Sequence, residues 1–221
     1  MVKRSTNKKT YRLNSLIGAA AICVLSLAVF VSPAPAQDTG SVQGHDDGCG
    51  FYLGLEFIGS SLHADNQTNT VFFIKDDGGG ALMKVGYHFT PTFALELSVG
   101  GSRHETSLQI IDANIAAAQI FALYRFSPDR PFRPYIKGGF GGYSLILQEG
   151  SLEARIEGGG VCFGGGFDYF FSSHFSLGVD FIHNVIQYEE FTLSAGGFSA
   201  NWDIDEDGSM TSLGLALTYH F

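Results

Sequence analysis

Charge and tryptophan are both scarce in this chain. Charged residues fill 16% of its 221 positions, and Trp202 is the single tryptophan. Ordinary soluble domains carry ~25% charged residues, so much of the surface is expected to face something other than water. Lys and Arg number 13 against 22 Asp and Glu. A chain with that balance cannot neutralise a phosphate backbone, which excludes nucleic acid as its main partner. The three cysteines, Cys23, Cys49 and Cys162, are too few to set out a disulfide framework. Helical periodicity is also missing beyond the first 36 residues, which excludes a helical bundle or an α/β enzyme fold. What the chain has instead is glycine and phenylalanine, 29 and 20 of them, with nine tyrosines.

The amino terminus is unlike the rest. Lys3, Arg4, Lys8, Lys9 and Arg12 precede an apolar run over residues 13–31, and Ser32-Pro33-Ala34-Pro35-Ala36 follows it. A basic start, an apolar stretch and a small-x-small site predict a cleaved secretory signal over 1–36. Its removal takes away five bases and no acid, leaving 8 basic against 22 acidic residues, near −14. Residues 37–48 then read as a short periplasmic arm, and 49–221 as one domain.

From Phe51 onward, apolar residues recur at every second position, as in Phe51, Leu53, Leu55 and Phe57 or Leu213, Leu215, Leu217 and Tyr219. Period two is the strand signal, and eight such segments of roughly ten residues are legible. The connections alternate in length. Residues 90–92, 127–131 and 172–174 are short turns, whereas 63–79, 102–113, 145–157 and 184–209 are longer and polar. Aromatic residues crowd beside the short turns, among them Tyr87, Phe89, Phe93, Tyr124, Phe126, Tyr169 and Phe175, at one level as an interfacial girdle requires.

Parity carries the argument further. Glu56, Lys84, Glu96, Arg125, Lys137, Asp168 and Asp180 all fall opposite the apolar row of their strands. An apolar face against a charged one predicts lipid outside and a polar lumen inside, with the charges ion-paired. The expected fold is therefore all-β: an eight-stranded antiparallel transmembrane up-and-down β-barrel.

The segments Pro134-Tyr135-Ile136-Lys137-Gly138-Gly139-Phe140-Gly141, Gly164-Gly165-Gly166-Phe167-Asp168-Tyr169 and Leu215-Ala216-Leu217-Thr218-Tyr219-His220-Phe221 carry a family resemblance. The chain from Cys49 to Phe221 resembles the small outer-membrane barrels, namely the OmpA-type membrane domain and its OmpX-like and opacity-porin relatives. The resemblance implies a cell outer-membrane, multi-pass protein among lipids and lipopolysaccharide. It also implies that Tyr219 and Phe221 form the signal read by the outer-membrane assembly machinery.

Clustered glycines at 138, 139, 141, 142, 158–160 and 164–166 lack the strand–loop–helix context of a phosphate loop, and read as room for lumen side chains such as Tyr135, Lys137 and Tyr143. Asp203, Asp205 and Asp207 match half of a calcium loop, but Gly214 stands where its final Glu belongs, so they are a weak metal candidate at most. His183 is placed at the end of the seventh strand, without a nearby serine for deacylase chemistry. Cys49 and Cys162 are expected to be free thiols, and no cofactor is implied. The expected function is a structural or surface-interaction role, in envelope integrity, adhesion or recognition through extracellular loops that hold an excess of 11 negative charges. A small porin or conduit for small or hydrophobic molecules is the alternative, and a lipid-modifying enzyme the third. A monomer is expected, with an extracellular ligand left unspecified.

Overall fold

The computed structural model describes residues 49–64, 74–106, 112–149 and 152–221. The signal peptide and the periplasmic arm lie outside the described residues. Eight strands follow one another: β1 Gly50–Ala64, β2 Ile74–His88, β3 Phe93–Thr106, β4 Asp112–Arg125, β5 Phe132–Glu149, β6 Leu152–Phe170, β7 Phe175–Ala195 and β8 Phe198–His220. Each pairs antiparallel with its sequence neighbour, and β1 pairs with β8, so the sheet closes into a barrel with no free edge.

Side chains alternate between faces as the sequence pattern requires. On β7, Ser176, Gly178, Asp180 and Ile182 are buried inside, while Phe175, Leu177, Phe181 and Val185 point out. The outward apolar row spans about ten residue steps of ~3.3 Å, which at barrel tilt makes a band about 25 Å tall. Aromatic contacts ring its lower edge, as in Tyr87–Phe89, Tyr124–Phe126 and Phe175–Tyr219, whose centroids are 5.0–5.1 Å apart.

The strands are longer than the expected ten residues: the shortest have 14 and β8 has 23. The polar stretch 184–209 is a continuation of β7 and β8 rather than a loop. Gly196 and Gly197, with φ of +55° and +89°, close it as a two-residue turn of the kind whose twist matches paired strands. Pairing continues above the membrane because the extended strands share an inward apolar row there, with Ile186, Tyr188 and Met210 buried and Phe191 and Ile204 packed against them. One bulge interrupts it, between Tyr188 and Glu190 of β7. Past this bulge Glu190 and Asp203 face outward, and Phe191 and Trp202 face the barrel axis with rings 5.5 Å apart.

Inward glycines make room for large neighbours. A Cβ on Gly86 would strike the Tyr52 ring, one on Gly214 the Glu56 carboxylate, and one on Gly166 would stand 2.9 Å from the Tyr135 hydroxyl. A narrow barrel accommodates large polar side chains only where the facing strand has none.

Candidate functional site

The lumen is filled in layers from the short-turn end upward. Lowest lie Tyr52, His88, Ala94, Leu123, Tyr135, Phe170 and His220. Above them five charged side chains form one network. Lys84 Nζ lies 3.1 Å from Glu56 Oε2 and 2.8 Å from Asp180 Oδ2, and Lys137 Nζ lies 3.0 Å from both Asp180 Oδ2 and Glu96 Oε1. The Tyr52 hydroxyl donates to Glu96 Oε2 at 2.9 Å. Arg125 and Asp168 form a separate pair, with Nη2 3.1 Å from Oδ2. All seven residues named from parity are thus inside, none more than 9% exposed.

Asp180 shares one oxygen between two lysines that come from opposite sides of the lumen, on β2 and β5. Three acids and two bases leave the network one charge negative, and the Tyr52 O–H donor offsets part of that excess. The Lys137 ammonium also sits 4.7 Å from the Phe121 ring centroid, so an aromatic face closes the network from above.

The upper lumen differs from the polar interior expected. Phe121, Cys162 and Ile182 form an apolar layer. Gln119 Nε2 and the Tyr143 hydroxyl then donate to Asn184 Oδ1 at 2.8 and 2.9 Å. Over these lies a larger apolar cluster that includes Leu62, Ile115, Leu145, Leu147, Ile156, Ile186, Tyr188 and Met210. Several of these residues fall within segments read from sequence as loops. The inward parity of the strands runs on through those segments, which is the signal that could have placed them.

Asp203, Asp205 and Asp207 are corrected in position: they lie on strand β8, not in a calcium-type loop. Asp203 pairs in register with Glu190 and Asp207 with Gln187, and Gln187 Nε2 donates to Asp205 Oδ1 at 3.0 Å. A strand spaces same-face residues too widely to wrap an ion. Among the described residues no group of three or more His, Cys, Asp or Glu is placed to hold a metal. The acids do act on one another. Partial burial and then the Glu157 and Asp203 carboxylates push Glu190 above the usual carboxylate range.

His183 is also corrected: it sits within β7, not at its end, and on the outward face. Its Nδ1 is 2.9 Å from Thr211 Oγ1 and its ring is 5.3 Å from Phe163. Ser60 and Ser102 Oγ each lie 3.1 Å from His104 Nε2, but all three residues are buried inside the barrel. Cys49 is exposed, Cys162 is buried, and both are free thiols. Tyr219 and Phe221 lie on the outer wall with rings 4.9 Å apart, and the Phe221 N–H donates to the Phe51 carbonyl at 3.0 Å.

A family model described as "Outer membrane protein beta-barrel domain" matches residues 22–221. Solved structures share the fold at low identity. Neisserial surface protein A is 14% identical with a TM-score of 0.57, over 77% of this chain and 97% of that one. The attachment invasion locus protein Ail of Yersinia pestis is 14% identical with a TM-score of 0.51, over 78% and 99%, and has also been solved with the heparin analogue sucrose octasulfate. The outer membrane protein OprG of Pseudomonas aeruginosa is 16% identical with a TM-score of 0.51, over 78% and 97%. No curated protein sequence matches the chain.

Proposed function

We propose, because the chain belongs to the outer-membrane protein β-barrel domain family, that it is a closed barrel whose task is to hold a recognition surface above the outer membrane. The observation that carries this reading is the filled lumen. A cross-linked charge network and an apolar plug stand one above the other, so an ion entering from either end meets first one barrier and then the other.

The surface itself is the β5–β8 extension. Its outer face carries Glu153, Glu157, Glu190, Asp203, Asp205 and Asp207, with Arg155 bonded to Glu153 at 2.9 Å. Such a face repels polyanions, unlike Ail, which was solved with one, and favours a cationic partner. Export by a signal over 1–36, recognition of Tyr219 and Phe221 by the assembly machinery, and a monomeric state in lipid complete the proposal.

Two measurements test it. Purified protein in planar bilayers is expected to give no reproducible conductance steps; regular steps would favour the small-porin alternative. Replacing residues 189–206 by a two-residue turn is expected to abolish binding to cationic partner surfaces while leaving the barrel folded. Unchanged binding would remove the extension from the proposal.

A further inference from the structure

The short-turn mouth of the barrel gathers basic side chains apart from the network above it, Arg125, Arg133, His88 and His220, with Asp168 among them. Phe170 lies at the centre of this mouth. The Arg133 guanidinium stacks 3.9 Å from its ring centroid, Arg125 lies 5.5 Å from the same centroid, and the His220 ring is 4.6 Å away. His88 lies behind, its ring 4.9 Å from Tyr52 and 6.2 Å from His220. The charged and titratable groups acting on His88 are Arg125, His220 and Arg133, and those acting on His220 are Arg125, Arg133 and His174. All are bases. Asp168 is the carboxylate within this group, and Arg125 Nη2 already donates to it at 3.1 Å.

Hydrogen bonding points the same way. His88 is 4% exposed, yet neither ring nitrogen has a hydrogen-bond partner, and neither does the buried Nε of Arg125. His220, by contrast, is held by the Ser176 hydroxyl at 2.9 Å from Nε2. Buried donors without acceptors and like charges gathered on one aromatic ring are both costly where the dielectric is low. A single oxyanion relieves both costs, because it accepts from imidazole and guanidinium together. Arg133, Phe170 and His220 are half-buried at the rim, which leaves a way in.

We propose that this mouth is a binding site for an anionic oxygen group, a carboxylate or a phosphate carried by a solute or polymer on the short-turn side of the membrane. Arg125 and His88 form its inner wall and Arg133 its rim, and the aromatic rings exclude water around the bound oxygens.

The test uses the mature protein folded in nanodiscs with nitrogen-15 in its histidine rings. Inorganic phosphate, acetate and chloride are titrated in turn at matched ionic strength. Saturable movement of the His88 ring signals with phosphate, acetate or both, and not with chloride, is the expected result, and the responding anion identifies the ligand group. Arg133→Gln is expected to weaken that binding about tenfold or more, the loss of a charged hydrogen-bonding partner. Arg103→Gln, on the outer face at the other end, should leave it unchanged. If Arg133→Gln does not fold, His88→Phe, which removes no protein hydrogen bond, must abolish saturation at His220. Equal movement in all three salts, or none in any, would overturn the proposal.

Discussion

Lys137 shows how much depends on single side chains in a lumen this narrow. It is sealed from solvent and bonds Glu96 and Asp180 at once, so removing its charge leaves two buried carboxylates short of a partner. Breaking a buried pair from one side typically costs 3–5 kcal/mol, roughly. Lys137→Met is therefore expected to lower stability by about that much, seen as a shift of the urea unfolding midpoint in lipid vesicles. A shift within error would mean that the network is dispensable.

Glycines make a second contrast at this scale. Gly86 faces inward against the Tyr52 ring, while Gly59 faces outward with nothing near it. Gly86→Ala is expected to cost about 1–3 kcal/mol by overpacking. Gly59→Ala should stay within about 0.5 kcal/mol of the parent. Equal effects in the same unfolding measurement would contradict the packing described.

Among the elements, the β7–β8 hairpin stands apart because it rises beyond the lipid-facing band. Its bulge at Tyr188–Glu190 reverses parity, so the outward face gathers Glu190, Asp203 and the neighbouring Glu157 of β6. Glu190 has its folded-state pKa raised by burial and by those two carboxylates. An acid shifted upward binds its proton more tightly in the folded hairpin than in the open one, so stability is gained as pH falls through the raised value. Amide exchange over residues 190–195, corrected for intrinsic rates, should be slower at mildly acidic than at neutral pH. Glu190→Gln should erase that difference.

The hairpin also marks the limit of reading elements from pattern. Its residues read as a loop in the sequence because acids and serines interrupt the apolar row that defines a strand in lipid. In water the same pairing needs no apolar outer face, so the strand continues while its sequence signal fades. Gly196-Gly197 does mark the turn in the sequence, as glycines with positive φ do at two-residue hairpins.

At the scale of the whole molecule, the barrel is a cylinder of lipid-facing side chains around a packed interior, polar below and apolar above. The charge excess of the chain is divided accordingly. Acids gather on the extension, the middle of the lumen is close to balanced, and the short-turn mouth is basic. Such a gradient along one axis makes the two ends chemically different surfaces, one suited to cationic partners and the other to anionic groups.

The amino-acid sequence by itself determined the class of the fold and the side of the wall on which each strand residue stands. Cβ atoms alternate along a strand whatever it pairs with, so Glu56, Lys84, Glu96, Arg125, Lys137, Asp168 and Asp180 were legible as interior residues from parity alone. Which of them meet was decided only by the closed barrel. Lys84 on β2 and Asp180 on β7 are 96 residues apart, and come to 2.8 Å through the stagger and tilt that close the sheet. The same closure sets Arg125, Arg133 and His220 around Phe170 with His88 behind them, and stacks Leu145, Ile156 and Ile186 into a plug above the charges. Height along the barrel axis and contact across it depend on register summed over eight strands, and no local stretch of sequence contains that sum.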